Sequence, residues 1–522
     1  MTRWSATDLI GAQTYWITTV VLAGRTQYYS TEAFNIASSV VPGGFVATEA
    51  AIASVALRKA GASFGGAPET RTARITVLPA EAPGVWIAQG HTPEGQPAEI
   101  ALWREGDTWE QRRVQLRGIV RGCSWGAAGQ PLSLDIEESV TSDRLLYPTA
   151  AMAVTSETWP DAASSAVGLS YPVILGQPGR TGIAAAPALF VENVLAGGDR
   201  DLLLVAGHPV AATNVTIYDD SGAHESLAVE HIDDGTGQRV AVVDLGTATV
   251  VFVDPDGNYS SSWVSGPGLL AVSGAGGATG AGDIVLALLV RSGLRVDQGQ
   301  AMAARDTLNG YLIDAIIEVP TAPSEWIASA LLPILPAAMV AGVDGWWLRP
   351  LTVRPRLADC IAQLIPGAGI TRDGEVVGEG EGEIANDLSI RLAIGTETDD
   401  PTVEARLGPT TDNGSHSSAD AVRSASRYGV RAISEETVAL HDLGTAYRVV
   451  RWWAQVRAWP RWRVRYLVGP EWAWLEPGDV LRLTDSDLSI DAPVLLDAVE
   501  YQEGGLLALE AIQWRRGGSH GH

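Results

Sequence analysis

Lysine is almost missing from this 522-residue chain: Lys59 is the single one, and arginine supplies the other basic side chains. Such a skew follows from a GC-rich genome as readily as from a need for guanidinium chemistry. Cysteine occurs twice, at Cys123 and Cys360. Two thiols so far apart make neither a disulfide framework nor a cysteine-rich zinc site, and free thiols in a protein made in the cytoplasm are the plain expectation. Long apolar runs are absent too. No stretch reaches the roughly 18 residues of a membrane span, and the most apolar one, residues 328–340, is broken by Pro333 and Pro336. The N-terminus has no basic segment followed by an apolar core and cleavage site, so no signal peptide is expected. Cations are outnumbered throughout. A formal net charge of −25 argues against holding nucleic acid by phosphate neutralisation.

What is present points to a β-rich assembly protein. Glycine (57) and tryptophan (18) are plentiful, which excludes a disordered chain or a coiled coil. The length calls for about three or four domains. The most informative stretch runs over residues 418–514. Ala446, Val449, Val450 and Trp453 recur with helical spacing, Asp442 or Thr445 can cap the start, and Pro460 ends the helix. The period then drops to two: Trp462, Val464 and Tyr466 alternate with Arg461, Arg463 and Arg465, giving one apolar and one cationic strand face. Trp472 and Trp474 alternate with Glu471 and Ala473, and Pro477, Gly478 and Asp479 favour a tight turn. Strands are expected at 481–483, 492–502 and 506–514, the last two joined through Gly504 and Gly505. A helix feeding such strands makes a small barrel or sandwich.

This C-terminal module resembles the closing domain of bacteriophage tail-tip, or baseplate hub, proteins, a family also found in gene transfer agents. The residues that carry the resemblance are Arg427-Tyr-Gly429, the helix with Ala446, the Pro460-Arg461 entry, and the run from Leu475 through Glu476, Pro477, Gly478 and Asp479 to Val480. The Tyr171-Pro172 segment leading to Gly176 is similar to one frequent in phage tail proteins, and Asn386 to Leu392 resembles a strand entry of the same family.

Along the chain, strands are expected at 15–23, from Tyr28, at 72–78, 99–103, 111–121 and 132–137, while 50–57 reads as helix or strand. These make residues 1–145 an N-terminal β-barrel similar to the opening domain of the hub family. Residues 146–269 read as an inserted β-rich domain, with strands at 202–206, 215–218, 240–243 and 249–253. Residues 270–417 read as an α+β domain. Its helices are expected at 283–291, 298–311, 325–332 (with Ser324 as N-cap) and 358–364, with a strand at 345–348 and an acidic linker at 396–418. The C-terminal helix-plus-barrel domain spans 418–514, and 515–522 form a tail. The fold class is thus mainly β with an α+β middle, two small β-barrels flanking inserted β and α+β domains. The first and last domains read as two versions of one barrel.

Candidate chemistry is sparse. Gly122, Ser124 and Gly126 match the nucleophile-elbow spacing, which needs a strand-to-helix turn and a later acid and histidine; a β-turn is the preferred reading. The glycine-rich run 273–282 lacks the Gly-Lys-Ser/Thr ending of a phosphate cradle and reads as a linker. Asp254, Asp256 and Asn258 read as a hairpin turn rather than a calcium loop. Asp219, Asp220, Asp233 and Asp234 read as loop carboxylates. His224 and His231 lack metal-ligand spacing, and His520 and His522 lie in the tail. No catalytic, cofactor or metal site is therefore expected. The unusual charge feature is the stripe Arg448, Arg451, Arg457, Arg461, Arg463 and Arg465, suited to carboxylates of a neighbouring subunit or to a solvated face. With Trp452, Trp459, Trp472 and Trp474 it forms the candidate interface.

The resemblance implies a non-enzymatic structural virion protein: a homotrimeric hub at the distal tail tip, assembled in the host cytoplasm. Two similar barrels per chain and three chains about an axis would make a pseudo-sixfold ring. The implied partners are the distal tail or tail tube protein, the tape-measure C-terminus and receptor-binding fibre or spike proteins, with DNA passing only in transit. An acidic channel would repel its phosphates. The competing class is a polysaccharide-active or carbohydrate-binding extracellular protein.

Overall fold

The computed structural model describes residues 13–22, 24–59, 71–78, 89–125, 131–138, 148–160, 162, 166–176, 189–190, 202–218, 224–249, 280–291, 295–342, 345–367, 369–378, 383–392, 404–410, 416–437, 439–440, 442–502 and 506–514. Alternating burial builds the N-terminal barrel. Its strands are β1 (Thr14–Leu22), β2 (Arg25–Ser30), the hairpin β3 (Asn35–Ala37) and β4 (Phe45–Ala47), β5 (Glu49–Ala50), β6 (Ile52–Lys59), β7 (Thr72–Val77), β8 (Pro97–Arg104), β9 (Arg113–Trp125) and β10 (Leu132–Glu138). Residues 50–57, open between helix and strand by sequence, enter β5 and β6. Neighbours run β6-β7-β10-β9-β8-β1-β2-β5. The sheet curls round until β5, paired to β2, leads directly into β6.

The next region packs around β11 (Val173–Leu175) and a five-stranded sheet of β12 (Leu189–Phe190), β13 (Leu202–Ala206), β14 (Asn214–Tyr218), β15 (His224–Asp233) and β16 (Arg239–Asp244). The ten-residue β15 has no counterpart among the expected strands. Its acidic and histidine-bearing sequence hides the alternation. Residues 250–253 lie outside the described residues.

Helices α1 (Ala281–Arg291) and α2 (Gln298–Leu308) follow, then β17 (Ala315–Ile317), which pairs with β11. The helix expected at 325–332 is a short α3 (Pro323–Trp326) that loosens into a π-turn over Ile327–Leu331. Its N-cap is Ala322, not Ser324, because Pro323 takes the first helical position, where its missing N–H costs nothing. Strands β18 (Ala337–Gly342) and β19 (Gly345–Pro350) form a hairpin.

Residues 358–364 are not a helix. After one 3-10 turn they become β20 (Ala362–Leu364), followed by β21 (Thr371–Arg372) and β22 (Val377–Gly378). The expected linker 396–418 likewise contains structure. Strand β23 (Asp387–Leu392) pairs with β24 (Glu404–Gly408), which pairs with β25 (His416–Ser417), and Ser418 caps α4 (Ala419–Tyr428). Strand β26 (Ala432–Thr437) completes this four-stranded sheet.

Helix α5 (Leu443–Arg457) forms where its spacing predicts, with Asp442 accepting from the Thr445 amide. Its buried face packs on β23 and β24. Each large apolar side chain there contributes roughly 1.5–3 kcal/mol. Beyond it come β27 (Arg461–Val468), β28 (Val480–Asp485), β29 (Ile490–Tyr501) and β30 (Leu507–Trp514). Trp472 and Trp474 do not lie on a strand. Pro470 starts a 3-10 turn through Trp472 instead. Gly504 and Gly505 fall outside the described residues.

The helix and the strands that follow it serve different cores. Val449, Val450 and Trp453 join a cluster with Trp159, Leu204 and Leu288. Val464, Leu496 and Tyr501 join one with Leu57, Ile75 and Leu116 of the N-terminal barrel. Two connections explain this. Strand β20 pairs with β28, while β21 and β22 pair with β27, so residues 362–378 strap the C-terminal barrel shut. Strand β29 then pairs with β6 through Val499–Lys59, Glu500–Arg58 and Tyr501–Leu57, which fuses the two barrels into one sheet.

Gly176, after β11, has φ +70°, and a Cβ there would lie 1.8 Å from the Ile313 carbonyl oxygen. Gly176→Ala is expected to cost roughly 2–4 kcal/mol by combining backbone strain with a clash that only a chain shift relieves. Urea denaturation of the two proteins measures it.

Candidate functional site

Glu476 lies in the turn that delivers the chain from Trp474 into β28, and it reaches back to the N-terminal barrel. Its Oε1 accepts from Lys59 Nζ at 3.2 Å and from an Arg113 Nη at 2.6 Å. The single lysine of the chain ends β6 at the seam between the barrels and is 1% exposed; Glu476 is 24% exposed. Burial pushes the Lys59 amine down to about 7 against the pull of Glu476, with Arg113 and Arg71 adding to the fall. Burial also opposes ionisation of Glu476, yet Lys59, Arg113 and Arg71 hold its carboxyl down at about 2. The two charges therefore coexist from acid conditions up to neutrality.

The same turn is held from the middle of the chain. Asp479 accepts from the Glu476 amide at 2.8 Å and from Arg349 at 2.9 Å, and Arg349 also donates to the Pro477 carbonyl. Gly478 has φ +89°, and a Cβ on it would come within 2.8 Å of the Arg349 side chain. Glycine is needed there on both counts. Beneath the turn, the Tyr501 hydroxyl is 3.2 Å from the Ala473 carbonyl and 3.4 Å from Gln115 Oε1, and the Tyr501 ring meets Trp16 edge to face at 5.0 Å. Thus the motif singled out in the sequence joins three parts of the chain. Lys59 was visible as a compositional oddity, but its partners lie hundreds of residues away.

The arginine stripe divides. Arg463 pairs with Asp497 at 2.5 Å and Glu510 at 2.8 Å, and Arg465 pairs with Asp373 at 3.0 Å and Glu500 at 2.8 Å. Both are taken by carboxylates of their own chain, because β30 and the strap flank β27 and β29 lies one strand further on. Arg457 is half-buried over the Trp453 ring at 5.1 Å, and burial lowers its pKa. Arg461 is half-buried at the start of β27. Arg448 is exposed and donates to the Gly310 carbonyl; Arg451 is exposed on the same helix. Of the tryptophans, Trp452, Trp459 and Trp474 are buried inside the chain. Trp452 donates to the Ile334 carbonyl at 3.3 Å, and Trp459 meets Tyr428 edge to face at 6.4 Å. Trp472 is half-buried against the barrel core.

The remaining candidates take structural places. Ser124 sits in β9 opposite Ser133, so residues 122–125 form strand where a β-turn was preferred, and Ser124 is not at a strand-to-helix elbow. Its neighbour Cys123 donates to Glu94 at 2.9 Å, and burial pushes the thiol up to about 12. Asp233 and Asp234 accept amides of their own turn, and Asp234 also accepts from the Tyr171 hydroxyl at 3.1 Å. His231 accepts from the Val210 amide at 3.1 Å. Among the described residues no three histidine, cysteine or carboxylate side chains gather as a metal site, and no helix is long and apolar enough to cross a membrane. Residues 219–220, 254–258, 273–279, 520 and 522 lie outside the described residues.

Comparison with known proteins adds one match of sequence. The family described as "Putative phage tail protein" matches residues 398–499, from just before β24 to the end region of β29. The resemblance seen in the C-terminal motifs therefore holds over that segment, which includes Glu476. No curated protein matches the chain. Among solved structures, the chain is similar to the 43 kDa tail protein of prophage MuSo2 from Shewanella oneidensis, at 9% identity and TM-score 0.40, over 95% of this chain and 98% of that one. It is also similar to a tail protein from Neisseria meningitidis MC58, at 9% identity and TM-score 0.34, over 95% and 96% of the two chains. A chain in the virion of a native gene transfer agent particle aligns at 16% identity and TM-score 0.19, over 44% of this chain and 80% of its own.

Removing the shared carboxylate from the seam is expected to be worse than removing one of the cations that it holds. Glu476→Ala leaves Lys59 sealed without its carboxylate and should cost roughly 3–5 kcal/mol, whereas Lys59→Met leaves Glu476 paired with Arg113 and should cost less. The pH sign follows from the depressed pKa of each group. The Glu476 contribution is present above pH 4.5 and is lost as pH falls toward 2. For Lys59, the unfolded chain binds the proton that the folded chain releases between pH 7 and 10.5, so stability rises over that window. Denaturation of wild type and Lys59→Met across both windows checks this; the variant should lose the alkaline rise and keep most of the acid fall through Arg113.

Proposed function

We propose that the chain is a structural protein of a phage or phage-like tail, and that within the tail it is the hub at the distal tip. The observation that carries the reading is the family match over residues 398–499, which falls on the module whose motifs resemble the hub's closing domain. Two barrels fused edge to edge through β6 and β29 suit that role, since a chain of this kind offers a stiff double-barrel segment to a ring. Three copies would complete the ring, with DNA passing through the opening and the acidic chain repelling its phosphates. The tail tube or distal tail protein, the tape-measure C-terminus and fibre or spike proteins would be its neighbours, in a tail of phage or gene-transfer-agent type.

Subunit contacts in this reading fall to the part of the arginine stripe left at the surface, Arg448 and Arg451 on α5. Light scattering of the purified protein, followed by electron-microscope class averages alone and on tails, tests it. The expected result is a threefold ring with an axial hole at the tail tip. Arg448→Glu with Arg451→Glu should slow assembly at low salt, with a smaller effect at high salt. A protein that stays monomeric on tails and binds or cleaves glycans would overturn the reading in favour of the carbohydrate-directed class.

A further inference from the structure

In the four-stranded sheet β25-β24-β23-β26, β26 is the last strand, and among the described residues no strand pairs with its outer edge. Strand β26 runs parallel to β23 in unbroken register from Asp387–Ala432 to Leu392–Thr437. The Arg431 carbonyl, just before it, accepts from the Asp387 amide at 3.0 Å, so the backbone of residue 431 faces β23. Strand alternation then aims the backbone of Ile433 and Glu435 at β23 too. It turns the N–H and C=O groups of Ala432, Ser434 and Glu436 the other way. All three of those residues are exposed. Proline, lysine, a bulge and a very short strand, which blunt other edges, are missing from its six residues, and the charges it carries are the carboxylates of Glu435 and Glu436.

Charge selects the occupant. Glu435 and Glu436 are both exposed, and the strand itself holds no cation. The Arg457 guanidinium lies 3.9 Å from Glu435. Pairing with a second copy of β26 would set these carboxylates against their equivalents, which is unfavourable across a strand pair. We propose that the free edge of β26 takes an added β-strand from another polypeptide, an extended segment carrying arginine or lysine. Backbone bonds to Ala432, Ser434 and Glu436 give the affinity, and the two carboxylates give the choice of sign. The inference stands apart from the tail reading.

The test uses the full chain and two fluorescent eight-residue peptides, one alternating arginine with valine and the other glutamate with valine. Anisotropy should give at least tenfold tighter binding of the arginine peptide, and amide exchange should slow at Ala432, Ser434 and Glu436. Glu436→Pro deletes an outward N–H that the ladder does not use, and should weaken binding at least tenfold while the protein still melts cooperatively. If that variant does not fold, the pair Glu435→Arg and Glu436→Arg decides, because it should reverse the preference to the glutamate peptide. Equal binding of both peptides, binding that survives Glu436→Pro, or protection elsewhere on the acidic surface would each overturn the proposal.

Discussion

The contact between Glu476 and Lys59 is the interaction on which the architecture depends. It lies where two barrels, separated by most of the chain, share three residue pairs of backbone and one apolar cluster. A buried ammonium is tolerable only beside a fixed carboxylate, and a carboxylate in this turn is fixed only if the turn itself is held. Arg349 holds it from the middle region and Arg113 shares the charge. An ion pair of this kind does little for net stability compared with apolar packing, yet it penalises any other register of β6 against β29.

The second constraint is the disposal of strand edges. A chain with this many short strands would aggregate if their backbone groups stayed open. The N-terminal barrel curls until β5 runs into β6, and the outer edge of β6 pairs with β29. The C-terminal barrel borrows the strap 362–378, held by Arg372 near Asp485 and Asp487 and by Arg465 to Asp373. The region between the barrels is therefore not a simple insertion. It closes one barrel and supplies the sheet on which α5 packs, so the helix and the strands after it sit in separate cores.

The arginine stripe acquires a different meaning in this setting. Read as a line of charge, it looks like one surface. Folding sends Arg463 and Arg465 to carboxylates of the same sheet, Asp497 and Glu500 on β29, and lays Arg457 over an indole, leaving Arg448 and Arg451 outward. The tryptophans follow the same logic, since large amphipathic rings next to a helix terminus serve the nearest core first.

Local chemistry made much of the fold legible in advance. The alternation of Trp462, Val464 and Tyr466, the helical spacing from Ala446 to Trp453, and the turn at Gly478 each depend on neighbours a few residues away, and each forms as the pattern dictates. Proline and backbone competition account for the local failures, as at Pro323, at Pro470 and in the strand β20 that reads as helix. The pairing of β6 with β29, the strap across β27 and β28, and the burial of Lys59 against Glu476 were beyond reach for another reason. Each is a contact between segments distant in sequence, and nothing in either segment alone encodes which partner it will meet. The sequence by itself determined strands, helix, turns and a tail-protein resemblance; tertiary packing decided which charges are spent inside the chain and, among the described residues, left the outer edge of β26 without a pairing strand.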